Sequence, residues 1–238
     1  MRAIILAAGV GSRLREIAGD MPKCLVSVRG QSIIGRQIKL LNLHGVSDIH
    51  VVVGHRPELM KSELEDAVAY HYYADYSKTN NLHTLHSARD LLDRDTIVLF
   101  ADVLLEREAL ARLIGGQRDF ELMVDTSQSL ENTMRVKLEN GLITDIGSHI
   151  PAPDGDGNFV GIAKFSETGA KLLHVELERM VEECAWKDAY YIATLPRLEN
   201  SGQSMGATDI AGIKWLEIDT PDEYHQAENA DFYLFDDE

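Results

Sequence analysis

Cysteine is scarce in this sequence, with only Cys24 and Cys184 among 238 residues. That density is too low for a disulfide-stapled scaffold, and the two show no metal-ligand spacing, so both are expected to be buried thiols. Long apolar runs are missing as well. No stretch approaches the roughly 20 residues of a membrane-spanning helix, and Met1-Arg2 leads into a run, Ala3 to Ala8, shorter than a signal peptide needs. The expectation is a soluble, cytoplasmic protein. Basic residues are the third shortage: 23 Lys and Arg stand against 39 Asp and Glu, a net charge of -16. Such a chain repels nucleic-acid phosphates and anionic membranes at long range, so neither is expected as a partner. Any phosphate it binds must be held by a local cluster of cations and backbone amides. No credible Ser-His-Asp or Cys-His set is present either, and the nine histidines are scattered. His83 and His86, three apart on a presumed helix, have no partner motif that would make them ligands.

What is present reads as a single α/β domain. The runs Ala3 to Leu6, Asp48 to Val53 and Thr96 to Phe100 are nearly all apolar, as strands covered on both faces of a parallel sheet are. Between them, Ile34, Ile38 and Leu41 fall at helical spacing within residues 33–43, and Leu82, Leu85, Ala88 and Leu92 do so within 81–92. From Phe120 the pattern changes to consecutive strands. Residues 134–138 and 142–146 flank Glu139-Asn140-Gly141, a strong hairpin signal, so an antiparallel flap over about 120–165 is expected to be inserted into a mostly parallel sheet flanked by helices. Helices over about 167–183 and 221–230 bracket a last strand, Lys214 to Ile218.

A Gly-rich turn, Ala7-Ala8-Gly9-Val10-Gly11-Ser12-Arg13, follows the first strand. In an open α/β sheet that turn lies at the carboxyl edge, where ligands bind, and its exposed amides suit phosphate. The third glycine of a dinucleotide fingerprint is Leu14 here and no acidic residue follows the second strand at the ribose position, while the Gly-Lys-Ser/Thr of a P-loop is missing. What remains is Leu6-Ala7-Ala8-Gly9-x-Gly11-x-Arg13-Leu14 followed by Pro22-Lys23, and with it the chain resembles the sugar-phosphate and phosphocholine-type nucleotidyltransferases.

This resemblance implies a Rossmann-like, nucleotide-diphospho-sugar transferase-like fold over residues 1–238. It implies a nucleotide site formed by Leu6, Ala7, Ala8, Gly9, Gly11, Ser12 and Arg13, with Arg13 and Lys23 as the catalytic cations. Asp102, after the strand ending at Phe100, and Asp219, in Trp215-Leu-Glu-Ile-Asp219-Thr-Pro-Asp-Glu-Tyr, resemble the family's two metal-binding aspartates, so Mg²⁺ is the implied cofactor. Read without the resemblance, Asp219 could start a helix and Asp102 could end a strand. The segment Thr79-Asn80-Asn81-Leu82-His83-Thr84-Leu85-His86-Ser87-Ala88 resembles a stretch of the phosphocholine and phosphonate cytidylyltransferases. Asn80 and Ser87 are therefore expected at the nucleotide, although Asn80 is also placed to cap a helix. Lys164, at a strand end in another family-like stretch, is expected to reach the acceptor phosphate, with a solvated lysine as the alternative. Trp186, Asp188, Tyr190 and Tyr191 resemble the aromatic and acidic mixture that cages a quaternary ammonium in phosphocholine-type relatives; core packing is the alternative for Trp186 and Tyr191.

The implied reaction is transfer of CMP from CTP to a small phosphorylated metabolite or phosphonate, with release of pyrophosphate. A sugar-1-phosphate nucleotidyltransferase using UTP, dTTP or GTP is the neighbouring reading, and a nucleotide sensor without turnover is a third. Homo-oligomer formation is left open.

Overall fold

The computed structural model describes residues 1–131, 133–183, 187–200 and 202–230; Cys184 and Trp186 lie outside them. The first half of the chain runs β1 (Arg2–Ala7), α1 (Arg15–Ala18), β2 (Ser27–Val28), β3 (Gln31–Ser32), α2 (Ile33–Leu43), β4 (Asp48–Val53), α3 (Pro57–Leu64) and β5 (Ala69–Tyr72). Then come α4 (Asn81–Ser87), β6 (Thr96–Phe100), β7 (Val103–Leu105), α5 (Arg107–Gly115), β8 (Phe120–Asp125), β9 (Arg135–Glu139), β10 (Leu142–Gly147) and β11 (Gly157–Phe165). The chain closes with α6 (Glu167–Glu182), α7 (Leu195–Asn200), β12 (Met205–Asp209), β13 (Trp215–Glu217) and α8 (Pro221–Asn229).

Nine strands form one sheet in the order β5-β4-β1-β6-β11-β8-β12-β10-β9. Strand β1 is parallel to both neighbours, with Ile5 opposite Val51 of β4 and Leu99 of β6. Because side chains alternate along a strand, β1 feeds two cores. Ala3, Ile5 and Ala7 meet Ile34, Met60 and Leu110 from α2, α3 and α5, whereas Ile4 and Leu6 meet Leu82, Leu85 and Leu177 from α4 and α6. This double covering is why β1 is apolar at every interior position. Helix α2 starts where the Ser32 hydroxyl accepts the Gly35 N–H at 3.2 Å, an N-cap that fixes its first turn.

The antiparallel segment expected over about 120–165 is inserted into the sheet itself, with β8 and β11 as interior strands and β11 antiparallel to β6. Only β9 and β10 form a peripheral hairpin, turning at Asn140 (φ +52°) and Gly141 (φ +76°) as the Asn-Gly pair demands. The last strand, β13, leaves the main sheet and pairs antiparallel with β7 as a two-stranded ribbon. The helix expected over 81–92 is α4 followed by a tighter 3-10 turn at Arg89–Leu91, yet Leu82, Leu85, Ala88 and Leu92 are all buried as their spacing requires.

Candidate active site

The carboxyl ends of β1 and β6 meet at one edge of the sheet, and the site is built there. Gly11 has φ +64°, and a Cβ on it would lie 2.6 Å from Cβ of Lys23. Glycine is needed twice over, for the left-handed turn and for the passage of the lysine across it. The far end of the loop is pinned by Leu14, fully buried with Ile218 and Ala227 in a third, small core. Leucine at this point therefore ties the glycine loop to the segment that carries Asp219. A second close approach went unnoticed in the sequence: a Cβ on Gly54 would sit 2.7 Å from the Ala8 carbonyl oxygen.

Asp102 occupies the turn between β6 and β7. That turn is held from α2 by the buried Gln37, whose amide donates to the Phe100 carbonyl at 2.8 Å and the Val103 carbonyl at 2.9 Å. The β7–β13 ribbon sets Glu217 opposite Val103, and the Ile218 N–H donates to the Asp102 carbonyl at 2.9 Å, which brings Asp219 alongside. Asp219 is then fixed by the start of α8. There Glu223 accepts the N–H groups of Asp219 and Thr220 at 2.7 and 2.8 Å, while the Thr220 hydroxyl accepts the Glu223 N–H, a capping box.

The charged groups converge. Lys23 Nζ donates to Asp102 at 2.6 Å and also to Asp219, and Arg13 donates to the other oxygen of Asp219 at 2.5 Å. Burial disfavours the charged lysine, but Asp102 and Asp219 outweigh it and hold its pKa above the ordinary value. Glu217, which sequence reasoning missed, completes the group: one oxygen from each of Asp102, Glu217 and Asp219 lies within 4.8 Å of the others. Burial first, then the two aspartates, pushes the Glu217 carboxyl up to about 8. Asp102 Oδ1 is buried with no hydrogen-bond partner among the described residues. Three hard oxygen donors, one of them unsatisfied, fit a divalent cation such as Mg²⁺.

A cavity of about 300 Å³ opens beside these groups. Leu6, Ala7, Ala8, Gly9, Gly11, Ser12, Arg13, Lys23, Asn80, Asp102 and Asp219 all line it, as do Tyr76, Thr84, Phe100 and Tyr190. Asn80 is both lining and cap: its Oδ1 accepts the Asn81 N–H at 2.8 Å and its Nδ2 donates to the Asp188 carbonyl at 3.2 Å. Other assigned residues lie elsewhere. The exposed Ser87 turns back to donate to the Thr84 carbonyl, and Thr84, one turn earlier, faces the cavity instead. Lys164 is at the opposite edge of the sheet, because β11 runs antiparallel to β6 and its end lies beside the start of β6. Its buried ammonium is tied to the carbonyls of Ile114 and Gly116. Tyr191 is fully buried, edge-on to Phe100 with ring centroids 5.9 Å apart, so it packs the core and forms no cage. Asp188 is exposed and outside the lining of the cavity.

A second cavity, about 660 Å³, adjoins the first at Glu217, which lines both. Asp125, Glu131, Glu217 and Glu223 make its wall acidic, with Lys214 the one basic residue of the lining among the described residues. Asp125 is positioned by accepting the Trp215 indole N–H and the Ser127 N–H, each at 2.9 Å. The motif around Asp219 already contained Glu217 and Glu223; what the sequence did not reveal is that Asp125, Leu130, Glu131 and Thr133 line a cavity with them.

Comparison with known proteins agrees with this geometry. Residues 3–129 match the family model described as the MobA-like NTP transferase domain. A CTP:phosphoglutamine cytidylyltransferase of Campylobacter jejuni is 29% identical over 243 residues, covering 92% of this chain and 96% of the relative. A CMP-5'-(3-aminopropyl)phosphonate synthase of Streptomyces rubellomurinus is also 29% identical; the match covers 96% of this chain but only 38% of that longer protein. Among solved structures, CTP:phosphocholine cytidylyltransferase of Streptococcus pneumoniae superposes with a TM-score of 0.81 over 95% of this chain and 97% of its own, at 22% identity, which supports the nucleotide-diphospho-sugar transferase fold. A glycine loop crossed by a lysine, two aspartates at the ends of neighbouring strands and a family match over more than half the chain lead to one conclusion: this protein belongs to the MobA-like NTP transferase family and is a nucleotidyltransferase.

Proposed function

We propose that the protein transfers CMP from CTP to a small acceptor carrying a phosphate or phosphonate at one end and an amine at the other. CTP is favoured because the relatives and the structural neighbour reported above are named for CTP or CMP. The observation that carries the acceptor reading is the pair of cavities joined at Glu217: Arg13 and Lys23 offer cations to a phosphate in the first, and Asp125, Glu131 and Glu223 make the second acidic. A zwitterion matches that polarity, whereas a neutral sugar ring brings no positive charge to offset the carboxylates of the second cavity.

An acceptor oxyanion attacks the α-phosphorus of CTP, forming one P–O bond while the bond to pyrophosphate breaks. The nucleophile is already ionised near neutral pH, so no general base is required. The chain supplies position and charge: loop amides and Arg13 hold the triphosphate, Lys23 neutralises charge at the reacting phosphate, and Asn80, Thr84 and Tyr190 border the nucleoside. Mg²⁺, held by Asp102 and Asp219 with Glu217 beside them, would neutralise the triphosphate and orient it.

The test is pyrophosphate release over four triphosphates and a panel of phosphocholine, 2-aminoethylphosphonate, 2-hydroxyethylphosphonate, phosphoglutamine and sugar 1-phosphates. Turnover is expected with CTP. The amino compound should exceed its hydroxyl counterpart roughly 5- to 30-fold in kcat/KM, the equivalent of about 1–2 kcal/mol of attraction to partly buried carboxylates. Turnover with UTP or dTTP and sugar 1-phosphates alone would overturn the assignment, and no release from any pair would favour a sensor.

A further inference from the structure

We infer that Lys23 is the resident cation of the metal-free site, so that a divalent metal enters only together with the nucleotide. The inference rests on the reading that a divalent cation works at Asp102 and Asp219. Lys23 Nζ sits between these two carboxylates, 2.6 Å from Asp102 and in direct contact with Asp219, and Arg13 takes the remaining oxygen of Asp219. The ammonium therefore occupies the space between the two carboxylates that would hold a metal. Lys23 and Arg13 together balance the charge of Asp102 and Asp219, and a bare dication arriving beside Lys23 would meet repulsion at short range and displace contacts already made.

The nucleotide changes this balance. Its phosphates give Lys23 a second set of anionic partners within the same cavity, which the side chain lines together with the glycine loop. The lysine backbone lies in a 3-10 turn anchored by the buried Cys24 and Leu25, so the ammonium can exchange partners by side-chain rotation alone. Asp102 Oδ1, buried and without a partner among the described residues, is the acceptor left over when the ammonium takes the other oxygen, and it would be a ligand for the metal. Metal and nucleotide should thus bind with positive coupling, each raising the affinity for the other. Lys23 has two successive tasks: it holds two aspartates together before substrate arrives, then moves to the phosphates as metal takes its place.

Mn²⁺ alone is the probe, with the free ion counted by electron paramagnetic resonance against the nucleotide-free full chain. Lys23→Met is expected to bind Mn²⁺ roughly ten-fold or more tightly than the unchanged protein, because the competing charge is gone. Equal affinity, or tighter binding by the unchanged protein, overturns the inference. A second measurement needs no variant: the ¹⁵N signal of the Lys23 ammonium should stay in place when millimolar Mg²⁺ is added alone and shift when CTP follows. A shift with Mg²⁺ alone overturns the inference. If no sample takes up more Mn²⁺ than CTP alone does, the metal reading beneath the inference would fall instead.

Discussion

Tyr191 is fully buried and its hydroxyl has no hydrogen-bond partner among the described residues. Burial drives the pKa of that phenol upward, so it stays a neutral and unsatisfied group. Tyr191→Phe removes the oxygen and keeps the ring against Phe100; it should leave stability unchanged or raise it by about 1 kcal/mol, read as a higher urea midpoint. Tyr191→Ala leaves a cavity and should cost about 3–5 kcal/mol. If Tyr191→Phe lost activity while staying folded, the phenol would belong to the site and its place in the core would be the wrong account. At this scale the sequence was most legible where one residue type answers to one local demand. Gly11 and Lys23 form such a pair, since only a glycine lets the lysine cross. Tyr190 and Tyr191 were not separable, because adjacent aromatics point different ways according to a local turn that no periodicity encodes. Glu217 was hidden for another reason: a carboxylate becomes part of a site only through what the fold sets beside it.

Among the elements, long apolar strands and amphipathic helices announced themselves, and β1, β4, β6 and α2 lie close to where the pattern put them. Strand direction did not. Lys164 was assigned to the acceptor because it ends a strand, and the antiparallel course of β11 carries that end to the wrong edge. Short elements such as β5 and β7 were also illegible, having too few residues for a period to show. The β4–β5 pair yields a prediction. His50 Nδ1 and His71 Nε2 lie 2.8 Å apart, His50 Nε2 is 2.8 Å from Asp48, and Asp48 in turn accepts from Arg2 at 3.0 Å. Burial first, then the charges of His50 and Arg2, lowers the His71 pKa. Below the ordinary imidazole value the unfolded chain therefore binds more protons than the folded one at this position. Its contribution to stability is present above about pH 6.5 and is lost as pH falls towards the lowered folded value. Urea midpoints measured at about pH 7 and about pH 5 should fall for the unchanged protein, and His71→Gln should shrink the drop. An identical drop in the variant would mean that this histidine pair carries none of the acid sensitivity.

For the whole molecule, charge sets a tension that the fold resolves only locally. With 39 acidic and 23 basic residues, at least sixteen carboxylates have no basic side chain to balance them. The glycine loop, Arg13 and Lys23 set two cations against Asp102 and Asp219 inside this acidic envelope, whereas the second cavity keeps the acidic character of the rest. Composition made the excess legible, but its arrangement depends on a nine-stranded sheet whose central pairs, β6 with β11 and β11 with β8, join segments far apart in sequence. Salt acts on the two kinds of interaction in opposite senses. It weakens exposed ion pairs such as Arg112 with Glu108 and Lys171 with Glu167, each worth only about 0–1 kcal/mol. It also screens the repulsion summed over the whole surface, which destabilises the compact state and acts over a distance comparable to the Debye length of about 10 Å at 0.1 M. The unbalanced carboxylates make the second effect the larger. The melting temperature of the metal-free protein should therefore rise by a few degrees between about 10 and about 200 mM KCl, most steeply at the dilute end where screening changes fastest. An uncharged osmolyte at matched osmolality should not reproduce the steep dilute-end rise. A melting temperature that falls with KCl would mean that the ion pairs, rather than the net charge, dominate the electrostatics of this fold.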